Sequence, residues 1–290
     1  MNQIKIGTCI PGGKLLQWLP GFINYGFESY SVNFHMQFGD TDIAELAPRA
    51  MEIISQSPAE FSSLGLYCNP LQYKEHFDNL VLCIKTAKDF GCSMVSTFAG
   101  ALEGEPVEAA IPKFKEVFGE LVKIASDNGV TINIENCPMG GTMEKATCNI
   151  GFNPAAWERM FDAVPEGWGL EWEPTHQMVQ LIDPIAQLKK WVPYITHIHG
   201  KDATIDYDAI KEYGILSDKP FVLHRTPGFG DCNWTDIISI LRLNGYDNSI
   251  DIEGYHDPIY KDSWEFTGQL HALEYLKRCR GGGFKANPWE

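Results

Sequence analysis

The sequence predicts a single (β/α)8 barrel, on three observations. Short apolar runs alternate with amphipathic stretches through the whole chain, the pattern of repeated βα units feeding a parallel sheet. The length, 290 residues, suits one barrel of roughly 250 residues with some added loop. Four apolar runs lead into Glu135, Glu173, His199 and Glu253, as expected where barrel strands deliver side chains at their C-terminal ends.

The elements follow in order. Residues 4–10 form a first strand, closed by the Gly/Pro-rich loop 11–13, and residues 26–33 a second. No full helix can be placed between them. Residues 42–57 carry Ile43, Leu46, Ala47, Ala50, Met51 and Ile54 at helical spacing. Strands are expected at 61–67, 93–98, 130–134 and 169–172. Helices are expected at 74–90 and 106–128, each closed by a glycine, Gly91 and Gly129. Asn153–Pro154 and Asp183–Pro184 read as N-cap and N1 pairs opening two more helices. Residues 195–199 form the seventh strand and 249–252 the eighth, with helices at 234–247 and 263–279. An insertion at about 203–220 is expected to be a long loop over the mouth, 221–223 reads as an added short strand, and 281–290 is a tail. One domain spans 1–290.

Composition narrows the function classes. Hydrophobic residues make up 44% of the chain and aromatics 12%, values of a globular protein. No apolar run approaches the roughly 20 residues of a membrane span. The start, MNQIKIGTCI, lacks a signal-peptide layout, and the eight cysteines include no CxxC pair; the expectation is a cytoplasmic enzyme with reduced thiols. A formal charge of −15 argues against nucleic acid or an acidic membrane as partner. It favours a small neutral substrate or a cation.

The run ITHIHGKDA, residues 195–203, is the most suggestive. Ile195, His197 and His199 share one side of the strand, and Lys201 and Asp202 follow where it ends. In a barrel, Glu135, Glu173, His199 and Glu253 converge on one face although they are dispersed over about 120 positions. Three carboxylates and an imidazole form a hard donor set suited to a divalent metal: Mn²⁺ first, with Mg²⁺, Co²⁺ or Zn²⁺ as alternatives. Glu171 competes with Glu173, since two residues along a strand return to one face; Glu173 is preferred because EPTH turns directly after it. His176 then lies within reach of a bound hydroxyl.

ENCP at 135–138, EPTH at 173–176, HIHGKDA, PGFGD at 227–231 and Ile252–Glu253 resemble motifs of the sugar phosphate isomerase/epimerase family of xylose-isomerase-like barrels, which includes ketose 3-epimerases and inosose dehydratases. LGLYCNP at 64–70 and TFAG at 97–100 extend the resemblance to the earlier strands. It implies that Glu135 and Glu253 bind the metal and also act as acid/base on the two faces of the substrate. It further implies that His199 and the strand-six acid complete the metal shell, and that His176 contacts a substrate oxygen. Many members carry aspartate where this chain has Glu173.

A metal holding a sugar carbonyl and its neighbouring hydroxyl acidifies the adjacent C–H, and a carboxylate takes that proton. Returning it to the other face epimerises, returning it to the next carbon isomerises, and loss of a β-substituent eliminates. Lys201 and Arg225 are candidate donors to substrate oxygens, with Asp202 placed to orient Lys201. Trp172, Trp234, Tyr67, Phe98 and Tyr255 are candidate stacking surfaces. The absence of a phosphate loop and the scarcity of cations favour a free sugar, keto-sugar or glycoside. HRTPGFGDCNW and IEGYHDPIY are also similar to a branch containing alpha subunits of C-glycoside deglycosidases, which cleave 3-oxo-glycosides by elimination with a small beta subunit. That resemblance implies an acid/base role for His224, with His256 nearby, and a second subunit in place of a homo-oligomer. A DNA-repair endonuclease on a related barrel would need more ligands and a basic face. A non-catalytic sugar-binding barrel would keep its binding after Glu135→Gln or Glu253→Gln.

Overall fold

The computed structural model describes residues 3–282 and 285–289; positions 283, 284 and 290 of the expected tail lie outside them. The strands are β1 (Lys5–Pro11), β2 (Ser29–His35), β3 (Glu60–Tyr67), β4 (Met94–Thr97), β5 (Thr131–Glu135), β6 (Trp168–Trp172), β7 (Ile195–Gly200), β8 (Asp202–Ile205), β9 (Val222–Arg225) and β10 (Ser249–Ile252). Eight of them close a parallel barrel in the order β1-β10-β7-β6-β5-β4-β3-β2, and β8 and β9 form a separate antiparallel pair. The chain is therefore a (β/α)8 barrel, as the alternation predicts.

The helices are α1 (Leu15–Phe22), α2 (Ile43–Ile54), α3 (Lys74–Thr86), α4 (Val107–Asp127), α5 (Pro154–Ala163), α6 (Pro174–Met178), α7 (Pro184–Trp191), α8 (Tyr207–Tyr213), α9 (Trp234–Leu243) and α10 (Glu265–Arg280). Their starts follow from side-chain caps. Asp42 accepts from the amides of Ala44 and Glu45, Asn153 from Ala156, Asp183 from Ala186 and Asn233 from Asp236. Gly91, at φ 71°, takes the left-handed position that ends the turn after α3.

Three expectations need correcting. A helix does join the first two strands: α1 buries Leu15, Leu19 and Phe22 at i, i+4 and i+7 despite Pro20. The second strand starts at Ser29 rather than Gly26, since Gly26 has φ 86° and belongs to the turn. The insertion at 203–220 is a strand and a helix: Asp202 pairs with Arg225 and Ile205 with Val222, while Asp206 caps α8.

Below the mouth the barrel interior is polar, unlike the branched apolar layers usual in this fold. His197 lies 2.6 Å from Glu171 through Nδ1 and 2.7 Å from Asp251 through Nε2. Ser96 and Tyr67 donate to Glu171, and Ser29 and Ser62 donate to Asp251. Gly7 leaves room for this layer: a Cβ there would sit 2.0 Å from Asp251 Oδ1 and 2.3 Å from the Ser29 carbonyl oxygen.

At the opposite end Arg280 donates to the Ile4 carbonyl at 2.6 Å and pairs with Glu28, tying α10 to the first strand. Burial pushes the Glu28 carboxyl up, but Arg280 and the Ile6 amide outweigh it and hold it below its ordinary value. A depressed carboxylate stabilises the fold above its unfolded value of about 4.3 and loses that contribution on acidification. Arg280→Ala should therefore lower the melting temperature more at neutral pH than at about pH 3. Thermal melts at the two pH values check this; equal shifts would refute it.

Candidate active site

Strand ends bring the expected donors together. Glu135 is the last residue of β5, His199 the penultimate residue of β7, and Glu253 directly follows β10. Glu173 leaves β6 as the N-cap of α6, where Pro174 opens the helix and places His176 in its first turn. Asn136 fastens two of these ends: its Nδ2 donates to the Glu173 carbonyl at 3.0 Å, and its Oδ1 accepts from the Glu173 amide at 2.9 Å. Oxygens of Glu135, Glu173 and Glu253 and a nitrogen of His199 lie within 4.8 Å of one another. His199 Nδ1 is 2.9 Å from Glu135, 3.6 Å from Glu253 and 3.9 Å from Glu173.

The donors fit a divalent cation. Both carboxylate oxygens of Glu173, a fully buried residue, lack hydrogen-bond partners, as does Glu253 Oε2. Lys201 Nζ is 3.2 Å from that Glu253 oxygen and His176 Nε2 is 3.2 Å from Glu173 Oε2, and neither approach has hydrogen-bonding geometry. Buried carboxylates so poorly satisfied carry a large desolvation cost that a cation offsets. Burial drives the Glu173 carboxyl well above its ordinary range, and Glu253 beside it adds to the rise against the pull of Lys201. Glu253 itself is held low: burial would raise it, but Lys201, Glu173 and His199 outweigh burial. Burial also lifts Glu135, partly opposed by His199.

The cluster opens into a cavity of about 670 Å³, lined among others by Glu135, His176, His199, Lys201, His224 and Glu253. His176 and His224 are pushed down to about 4 by burial, so both stand as neutral imidazoles at neutral pH. Their rings are 6.3 Å apart, and His256 follows 5.8 Å beyond His224. Lys201 is buried between Glu253 and His256, with Nζ 3.4 Å from His256 Nδ1. Tyr67, Phe98 and Tyr255 line the cavity as expected stacking surfaces would.

Four other candidates are not among the residues lining the cavity. Trp172 is fully buried behind the strand, its indole N–H donating to Gln187 Oε1 at 2.8 Å, and offers no surface to a substrate. Trp234 is equally buried in the core. Arg225 pairs with Asp257 at 3.3 Å and stacks over Phe229. Asp202 accepts from the amides of Ala203, Gly228 and Cys232 and orders that loop rather than Lys201. Trp172→Phe should accordingly cost about 1–3 kcal/mol of stability through the stranded Gln187. It should leave KM within about twofold, which steady-state kinetics and urea melts measure together.

Sequence reasoning missed Cys9, Asn33, His35, Cys137 and Met139, all of which line the cavity. Cys137 had a usable signal, since it stands two residues after Glu135 and so returns to the same face.

A family model described as a xylose isomerase-like TIM barrel matches residues 24–279. The chain is 29% identical over 98 residues to an inosose dehydratase from Clostridium tetani (strain Massachusetts / E88), covering 33% of this chain and 32% of that one. It is 26% identical over 156 residues to the uncharacterized protein YfiH of Bacillus subtilis (strain 168), covering 50% and 46%. The matched stretch thus spans less than half of either curated relative. Among solved structures it is similar to a 3-keto-D-glucoside 4-epimerase from E. coli in its apo form, at 11% identity and TM-score 0.71, covering 96% of this chain and 100% of that one. Identity that low shows a shared fold and nothing more. The family model covers most of the sequence, and the chain belongs to the xylose isomerase-like TIM barrel family.

Proposed function

We propose that this chain is a divalent-metal-dependent enzyme of sugar isomerase or epimerase type, acting on a non-phosphorylated sugar or keto-sugar. One observation carries this: two carboxylates, Glu135 and Glu253, delivered by strands separated by β6 and β7, face the same cavity within the same donor cluster. Glu135, Glu173, His199 and Glu253 would hold the cation, Mn²⁺ by preference. A bound cation would polarise the sugar carbonyl and acidify the neighbouring C–H. Glu135 and Glu253 then serve as the proton acceptor and donor on the two faces of the reacting carbon. His176 hydrogen-bonds a substrate hydroxyl, and Lys201 supplies charge where negative charge develops. Lys201 is the one ammonium or guanidinium group among the described residues lining the cavity, and it already pairs with Glu253. That leaves no unpaired side-chain ammonium or guanidinium among the described lining residues for a phosphate and favours an uncharged substrate.

The kinship fits this class of chemistry without specifying it, since one relative is a dehydratase and one structural neighbour an epimerase. The test is to incubate Mn²⁺-loaded protein with a panel of ketoses and 3-keto-glucosides in D₂O and follow the sugar by NMR. Deuterium should enter at the carbon beside the carbonyl. Failure to exchange on every member of the panel overturns the proposal.

A second reading, elimination from 3-oxo-glycosides, is favoured by His224. Its Nδ1 is buried without a partner, and the ring stands in the cavity beside His176. As a neutral imidazole it is suited to take up a proton released in the reaction and pass it to the leaving group. This reading requires aglycone release that falls in His224→Gln, and co-purification of a short second chain. Full activity as a homo-oligomer would remove that partner.

A further inference from the structure

We propose that Glu135, Cys137 and His176 form a second cation site at the cavity wall, selective for a thiophilic ion such as Zn²⁺ or Cd²⁺ and sharing Glu135 with the four-donor cluster. One ligand atom from each of the three residues lies within 4.8 Å of the others. A tetrahedral zinc, with thiolate sulfur at about 2.3 Å and nitrogen or oxygen at about 2.0 Å, separates these ligand atoms by roughly 3.3–3.5 Å. Side-chain movements of up to about 1.5 Å therefore close the site, with the fourth position left to water.

The backbone under these donors is already fixed. Asn149 Nδ2 donates to the carbonyls of both Glu135 and Cys137, at 2.9 and 2.8 Å, so the segment holds its i, i+2 pair on one side. Gln180 anchors His176 through its carbonyl at 2.9 Å. The donor type separates the two sites: the four-donor cluster offers oxygen and nitrogen only, whereas this one adds sulfur, the donor that selects zinc-like ions over Mg²⁺ or Mn²⁺. Binding is a ligand exchange without redox change. The cation takes the Cys137 sulfur as thiolate, the thiol proton passes to solvent, and His176 and Glu135 bind as they stand. Since Glu135 is the proton acceptor or donor of the function proposed above, occupation would inhibit turnover in a way that a chelator reverses.

The test does not depend on activity. Protein saturated with Mg²⁺ is titrated with Cd²⁺ while the ultraviolet thiolate-to-cadmium charge-transfer band is recorded. One equivalent should saturate the band. The band should be lost in Cys137→Ser and Cys137→Ala, and should require at least about tenfold more Cd²⁺ in His176→Gln. Circular dichroism melts verify that each variant is folded. Absence of the band in the wild type overturns the proposal, as does a band of equal size in Cys137→Ser arising from one of the other seven free cysteines. Because no turnover is read, this result stands apart from the fate of the proposed isomerase chemistry.

Discussion

Glu135→Gln and Glu253→Gln should each lower net turnover by about 10³-fold or more at saturating Mn²⁺, while the folded state survives. A glutamine amide occupies the same volume and still offers an oxygen, but it cannot accept or give a proton at neutral pH, and general acid–base catalysis contributes roughly 10²–10⁴. The two variants should differ in an informative way. Each removes the proton carrier from one face of the substrate and leaves the other carboxylate in the cavity. One variant should then continue to exchange a substrate proton with solvent deuterium while forming almost no epimer; the other should do neither. Paired measurement of deuterium incorporation and product formation reads this directly. Wild-type turnover in both variants would remove the two carboxylates from the chemistry. Equal loss of exchange and epimerisation in both would show that they act only as cation ligands, which a metal-loading assay would then confirm as weakened affinity.

Much of this arrangement can be read from the chain because a parallel barrel converts sequence order into geometry. Once Glu135, His199 and Glu253 are placed at strand ends, the closed topology brings them to one face. Glu171 and Glu173 separate for the same reason: Glu171 lies on β6 inside the barrel against His197, while Glu173 sits just past the strand end beside His199. That alternation also forbids the role expected of Trp172, since a residue between two inward-facing glutamates must point outward, into the helical layer. The first helix escaped detection because Pro20 and the preceding glycines mask an eight-residue amphipathic segment. The insertion escaped because its strands have only four residues each and find each other across sixteen intervening positions. The polar floor was illegible for a different reason. Asp251 is an unremarkable residue until the barrel closes and sets it against His197.

His197→Leu should lower the melting temperature by roughly 10 °C. The imidazole lies fully buried between Glu171 and Asp251, and its removal leaves two buried carboxylates without their shared cation; breaking such an arrangement costs about 3–5 kcal/mol. The serine and tyrosine donors that remain cannot replace the charge. The pH dependence gives a sharper signature. Burial pushes the His197 imidazole down, but its bonds to Asp251 and Glu171 outweigh burial and raise it to about 9. A histidine raised in the folded state contributes stability that is complete below its unfolded value of about 6.5 and is lost as the pH climbs through its folded value. Wild-type protein should therefore lose stability between about pH 6.5 and 9, and His197→Leu should show a flatter profile over the same interval. Urea midpoints across that range measure both slopes. Parallel profiles would show that His197 is neutral in the fold. Replacing Glu171, His197 and Asp251 together by apolar residues of similar size should recover much of the lost stability, because the penalty lies in the unpaired charges rather than in the missing side chain.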